Sequence, residues 1–299
     1  MILYGTNPIA WSNDDDQTLG AEISLETCLS EAGEIGFDGI EKGHKMPTEP
    51  AALKAKLDPN GLKFVSGWHS LNLLTHSVED EKKAIQPHLD LLKAMGCKVC
   101  IVCETSNAIH GNDNAALSES PVLPADKWAK FGADVEAIAA YCADQGVTLV
   151  YHHHMGTIIE TEEDTVRLLE NTHDSVKLTL DTGHMLFAQG DSLKILNDFS
   201  ERLIHMHCKD IRKSVLEKSL KEDLSFRGAF LEGAFTVPGD GCIDYKPLFD
   251  VLKEKNYSGW LVVEAEQDPA KANPFEYAKI GYKYLTETLN NSKIDIYNN

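Results

Sequence analysis

The chain has 299 residues, of which 42% are hydrophobic, and a formal net charge of −19. That length suffices for one large buried core, and the acidic balance argues against a nucleic-acid partner, which wants a basic face. No stretch approaches the roughly 20 apolar residues of a membrane span, and seven cysteines, an odd number in a mid-sized chain, suit reduced thiols, so a soluble cytoplasmic protein is expected.

The apolar start, residues 1–5, lacks a basic flank and reads as a first strand rather than a signal peptide. Short β-rich runs then alternate with longer helical patterns. Strand 2–8 precedes helix 24–35, strand 39–41 helix 50–57, strand 63–68 helix 79–95, and strand 99–103 helix 125–145. Strands 147–152, 177–181, 202–207 and 260–264 are followed in turn by helices 161–171, 193–199, 245–255 and 275–289. Gly36, Gly61, Gly96 and Gly146 stand where helices should stop. Cys97, Cys100 and Cys103 lie in a strand-forming run with no fourth cysteine at ferredoxin spacing, so they read as small core hydrophobes.

Eight strand–helix units predict a single (β/α)₈ barrel over residues 1–290, with residues 291–299 as a polar tail. A doubly wound sheet is the alternative. Such a sheet usually carries a glycine-rich turn after its first strand, whereas the turn here is Thr6-Asn7-Pro8-Ile9-Ala10-Trp11. Two long connections, 105–124 and 210–241, follow strands and are expected on the barrel's active face as lids or interface elements.

The segment His152-His153-His154 closes an apolar run, and strand alternation sends His152 and His154 one way and His153 the other. Three later runs end alike, in Asp181-Thr182-Gly183-His184, in His205-Met206-His207 and in Glu264-Ala265-Glu266. Four such tips in series suggest convergence on a metal. The rule that barrel chemistry sits at strand C-terminal ends selects Asn7, Glu41, Trp68, His69, Glu104, His152, His154, Asp181, His184, His207, Lys209, Asp210, Glu264 and Glu266. Mixed imidazole and carboxylate donors suit Mn²⁺, Co²⁺, Fe²⁺ or Zn²⁺; calcium and magnesium prefer oxygen alone. Asp181 and His207, ionisable groups on neighbouring buried strands, need a shared partner. Blander readings stand beside these. His205 lies deeper than His207 and His153 points to the helix layer, so both are expected as structural core residues. Lys209-Asp210 also reads as an ordinary surface salt bridge.

Leu180-Asp181-Thr182-Gly183-His184, His205-Met206-His207-Cys208-Lys209-Asp210 and Val263-Glu264 resemble the xylose-isomerase-like barrel superfamily over nearly the whole chain. Four further segments narrow the resemblance to its inosose dehydratase family. They start at Gly5-Thr6-Asn7-Pro8-Ile9-Ala10-Trp11, Tyr151-His152-His153-His154, Thr236-Val237-Pro238-Gly239-Asp240-Gly241 and Val263-Glu264-Ala265-Glu266. The superfamily takes Glu, Asp, His and Glu from strands five to eight as metal ligands. By position these are His152, Asp181, His207 and Glu264, with His standing where Glu is usual. Glu160 or Glu266 could supply the missing carboxylate.

The resemblance implies Mn²⁺ or Co²⁺, glutathione as a reported cofactor, and a homo-oligomer. It also implies a substrate, the polyhydroxylated cyclic ketone scyllo-inosose, that loses water to give 3D-trihydroxycyclohexane-1,2-dione. For that chemistry His152, His154, Glu160 and Glu266 are the acid–base candidates. Asn7, Glu41, His69, His184 and Lys209 would hold ring hydroxyls, and Trp11 and Trp68 would wall the pocket. A sugar or inosose isomerase or epimerase, acting through an enediolate on the same scaffold, is the alternative reading. A nuclease related to endonuclease IV would want a basic groove. A non-catalytic barrel has only the His-for-Glu change in its favour.

Overall fold

The strand runs form one parallel sheet that curls on itself. In the computed structural model, which describes residues 1–292, its strands are β1 (Ile2–Thr6), β2 (Gly39–Ile40), β3 (Lys63–Phe64), β4 (Trp68–Leu71), β5 (Val99–Glu104), β6 (Thr148–His152), β7 (Lys177–Asp181), β8 (Leu203–Cys208) and β11 (Gly259–Val263). Their spatial order is β3-β2-β1-β11-β8-β7-β6-β5-β4. The run expected as one strand over 63–68 holds only β3 and the first residue of β4, parted by Val65-Ser66-Gly67, and β4 runs on to Leu71. The parted residues bond to both sides: Val65 N donates to Ile40 O at 3.0 Å and Lys42 N to Ser66 O at 2.9 Å, while Ser66 Oγ donates to Val99 O at 2.8 Å. The sheet thereby closes into the (β/α)₈ barrel that the alternation predicts.

Around it run α1 (Leu25–Ile35), α2 (Pro50–Leu57), α3 (Val78–Ala94), α4 (Trp128–Asp144), α5 (Glu162–Glu170), α6 (Thr182–Phe187), α7 (Ser192–Phe199), α8 (Lys213–Glu222), α9 (Phe226–Leu231), α10 (Tyr245–Glu254) and α11 (Pro274–Asn291). Ser24, Ser77 and Thr161 cap α1, α3 and α5 through their side-chain oxygens, and the four glycines expected at helix ends all have positive φ. Strand alternation divides the core. Leu149, Tyr151, Leu178, Leu180, Met206 and Leu261 belong to the main core beneath the helices, and Val99, Ile101 and Val150 pack as a separate cluster.

Connection 210–241 is not an open loop. It folds into β9 (Asp210–Ile211), α8, α9 and β10 (Phe235–Thr236), with β9 and β10 paired antiparallel. Its Ile211, Leu216, Phe226, Phe230 and Phe235 pack with Met155 and Phe187 in a second hydrophobic core. Connection 105–124 docks on it through Leu117 N to Leu224 O at 3.1 Å and Ser118 N to Asp223 Oδ1 at 3.1 Å. Arg227 of α9 ties both to the β1 loop, donating from Nε to Asp16 at 2.9 Å and from Nη1 to Asp113 at 3.2 Å. Helix α6 was also unforeseen. It is six residues long and is capped by Asp181 itself, whose Oδ1 accepts from Gly183 N and His184 N. Of the tail expected over 291–299, Asn291 closes α11, and residues 293–299 lie outside the described residues.

Candidate active site

Period-two alternation at the strand tips brings the expected imidazoles and carboxylates together. His152 Nε2 lies 3.1 Å from His207 Nδ1 and 3.5 Å from Asp181 Oδ2. His207 Nδ1 is 3.7 Å from Asp181 Oδ2 and 2.9 Å from Glu264 Oε2. Metal–nitrogen and metal–oxygen bonds of about 2.1 Å would set neighbouring donors roughly 3.0–3.4 Å apart; donor atoms of Asp181, His207 and Glu264 lie within 4.8 Å of one another, and those of His152, Asp181 and His184 do likewise. Asp181 Oδ2 is buried without a hydrogen bond, while its partner oxygen caps α6.

Neighbours fix the charge of each donor. Burial holds the His152 imidazole down to about 4, and so neutral, against the upward pull of Asp181. Burial works against ionising Asp181, but Lys209 and then His184 overrule it and keep the carboxyl well below its usual range. His207 is pushed the other way: burial opposes its charge, yet Glu264 and Glu41 raise it well above the ordinary histidine value. Glu41 Oε1 meets His207 Nε2 at 3.1 Å, so one ring nitrogen is oriented by a carboxylate while the other faces Asp181 and Glu264, the arrangement that steadies metal-binding histidines. The same Oε1 meets His205 Nε2 at 2.7 Å, and Glu41 Oε2 accepts from Asn7 Nδ2 at 2.8 Å.

Lys209 has no exposed surface and is not a surface ion pair. Its ammonium lies 2.7 Å from Glu266 Oε2, 2.8 Å from Glu264 Oε1 and 3.3 Å from Asp181 Oδ2, and 3.0 Å from His184 Nε2. Burial alone would lower its pKa, but these carboxylates raise it. The side chain passes so close to Gly183 that a Cβ there would meet Lys209 Cγ at 2.5 Å, so only glycine leaves it room. Asp210 turns away and accepts from the backbone of Ile211, Cys242 and Ile243.

A cavity of about 310 Å³ opens over this cluster. Of the expected residues, Asn7, Glu41, Trp68, His152, His154, His207, Glu264 and Glu266 line it. Asp181, His184 and Lys209 stand fully buried behind that wall. His154 donates from Nδ1 to Met155 O at 2.7 Å and packs on His184 with ring centroids 3.9 Å apart.

Four expectations change. Glu104 is not among the lining residues; its carboxylate accepts from Leu73 N at 2.6 Å and Ser106 N at 2.8 Å. His69 is not among the lining residues, because Trp68 and Ser70 take the inward positions of β4 and His69 stacks on His88 of α3 at 5.9 Å. Glu160 also stays away from the lining; its Oε2 accepts from Gly156 N at 2.6 Å and holds that turn. Trp11 is completely buried in the main core, its Nε1 donating to Glu31.

Asp14, Asp15, Lys42 and His110 also line the cavity and were not picked out from the sequence. All four stand outside the strands, on connections whose course strand periodicity does not predict. Asp15 is an exposed residue at the cavity rim; partial desolvation there, with Glu266 and Asp14 beside it, raises its carboxyl above the usual range. The acidic run Asp14-Asp15-Asp16 in the connection after the first strand was the available signal for two of them.

The family described as xylose isomerase-like TIM barrel matches residues 29–288. An inosose dehydratase of Geobacillus thermodenitrificans is 44% identical over 289 residues, covering 96% of this chain and 97% of that protein. The rhizopine catabolism protein MocC of Rhizobium meliloti is 44% identical over 284 residues, covering 95% of this chain and 87% of its own length. Among solved structures, the IOLI protein with a binding zinc atom superposes with a TM-score of 0.69 at 16% identity, covering 98% of this chain and 99% of that one.

Proposed function

The chain belongs to the xylose isomerase-like TIM-barrel family and to the inosose dehydratases within it, enzymes of the hydro-lyase class, and from that premise we propose that it removes water from scyllo-inosose to give 3D-trihydroxycyclohexane-1,2-dione during myo-inositol catabolism. The observation that carries the metal-dependent form of this reading is that donor atoms of Asp181, His207 and Glu264 lie within 4.8 Å of one another, with His152 Nε2 3.1 Å from His207 Nδ1 and 3.5 Å from Asp181 Oδ2. These four residues would hold the ion. Their mixed nitrogen and oxygen donors suit Mn²⁺, Co²⁺, Fe²⁺ or Zn²⁺, and the family resemblance favours Mn²⁺ or Co²⁺ among these. A bound divalent ion supplies Lewis acidity that stabilises negative charge developing beside the ketone.

Elimination next to a ketone requires a base for the α-proton and an acid for the departing hydroxyl. Of the acid–base candidates, His154 lines the cavity with its Nδ1–H committed to Met155 O, which leaves Nε2 to accept from a substrate hydroxyl. Glu266 and His152 also line the cavity. Lys209 fixes Glu264 and Glu266 from behind. The polar lining, with Asn7, Glu41 and Trp68, suits an uncharged polyhydroxylated ring. Glutathione as an accessory, a homo-oligomeric state and a cytoplasmic location belong to the same proposal. No described helix is long and apolar enough to cross a membrane.

The test is turnover of scyllo-inosose by metal-stripped protein with Mn²⁺, Co²⁺, Mg²⁺ or Zn²⁺ restored, with and without glutathione, and the product followed by mass. Metal-dependent loss of one water is expected. A product of unchanged mass would overturn the reading in favour of an isomerase.

A further inference from the structure

Connection 105–124 delivers one imidazole to the cavity wall, that of His110. Its ring centroid lies 4.9 Å from that of His154 and 6.3 Å from Phe226 of α9. Its Nδ1 is shut away from solvent and has no hydrogen-bond partner, which leaves Nε2 as the nitrogen open to the cavity. Burial, and then His184, lower its pKa, so the ring is neutral at pH 7. A neutral imidazole carries one N–H, and an orphaned buried donor is rarer and costlier than an under-used acceptor. The proton therefore belongs on Nε2. His154 has the opposite polarity, because its Nδ1 must donate to a carbonyl oxygen and its Nε2 can only accept.

We infer that His110 is a substrate-contacting residue, and that its Nε2–H and the acceptor nitrogen of His154 bracket one substrate hydroxyl. A hydroxyl both accepts and donates, so it satisfies the two rings at once; an ether or a carbonyl satisfies only the donor. The pair thus selects a free hydroxyl at one ring position. This rests on the proposed polyhydroxylated cyclic substrate. The position of His110 is built in. Ile109 N donates to Gly156 O at 2.8 Å, and Gly156 has φ +74° and lacks a Cβ, which would stand 2.8 Å from His110 N. Gly156 follows His154 closely in the chain, so the turn that places one imidazole also seats the backbone of the other.

The test compares wild type, His110→Ala and His110→Gln, the last keeping an N–H donor near the place of Nε2. The unreactive cyclitol scyllo-inositol is titrated calorimetrically into the metal-restored holoenzyme, and scyllo-inosose turnover is measured in parallel. The alanine variant should bind the cyclitol about five- to tenfold more weakly and show a raised KM, with bound metal and melting temperature unchanged. The glutamine variant should recover most of the binding. Wild-type binding and turnover by His110→Ala, in an enzyme that does dehydrate scyllo-inosose, would overturn the role of His110 alone. A wild type that binds the cyclitol with this variant pattern but releases no water would overturn the reaction and leave His110 standing. A wild type that neither binds nor reacts would overturn both.

Discussion

At the scale of single residues, Asp181 serves two purposes with two oxygens. Oδ1 accepts from the first turn of α6, and Oδ2 points into the ligand cluster without a hydrogen bond. Asp181→Asn keeps an oxygen for the cap and replaces the charged one with an amide. Lys209 would still be held by Glu264 and Glu266, so the fold should stand. We expect metal affinity to fall by about 100-fold or more, read as metal content after dialysis, and turnover to fall with it while the melting temperature moves little. A metal-replete, fully active variant would remove Asp181 from the ligand set. The sequence made these tips legible because period two puts alternate side chains on one face, and His152, His207 and Glu264 obey it. His69 was misplaced because its strand is interrupted at Val65-Ser66-Gly67, and Trp68 and Ser70 hold the inward positions. His110 and Asp15 escaped notice because they stand on connections, where no periodicity tells which way a side chain points.

At the scale of elements, the insertion between β8 and β11 is held to the barrel mouth by a few polar ties around one apolar core. Arg227 joins Asp16 of the β1 loop to Asp113 of connection 105–124. Its side chain is 34% exposed, so the ion pairs themselves contribute only about 1 kcal/mol or less. Their effect is on order. Arg227→Ala should speed amide hydrogen exchange in α8, α9 and residues 105–124 while leaving the barrel strands protected and the global stability nearly unchanged. Uniform exchange in both proteins would show that the second core alone holds the insertion. That core was not legible in the sequence. Phe226, Phe230 and Phe235 fall in a stretch broken by Gly228 and Gly233, whose helices are too short to show a sustained period. Helices α1, α3 and α4, by contrast, were legible from their sustained patterns and from Gly36, Gly96 and Gly146 at their ends.

At the scale of the whole molecule, stability should depend on acid through buried neutral histidines. Burial, and then His88, lower His69 to about 4 from an ordinary value of 6.5; burial lowers His153 and His154 as well. Below 6.5 the unfolded chain takes up protons that the folded one refuses until its own, lower pKa is reached. The unfolded state therefore binds more protons in that window, and stability must fall as pH drops from about 6.5 towards 4. His69→Gln, remote from the cavity lining, should flatten part of that slope in melting temperature against pH. An unchanged slope would mean that His69 is charged in the folded protein.

Closure of the sheet through Val65-Ser66-Gly67 has a consequence for access. A barrel with an unbroken ladder has no place to breathe without losing strand pairing. Here the ladder lapses for three residues and is bridged partly by a serine hydroxyl, a bond that can part and re-form without unzipping either neighbour. The lapse runs straight into Gly67, Trp68 and Ser70, which form part of the cavity wall. This interrupted seam of the ring and the wall of the chamber are thus one piece of chain. A solute pressing against Trp68 bears on the closure itself, and filling the chamber should make the seam exchange its amide hydrogens more slowly.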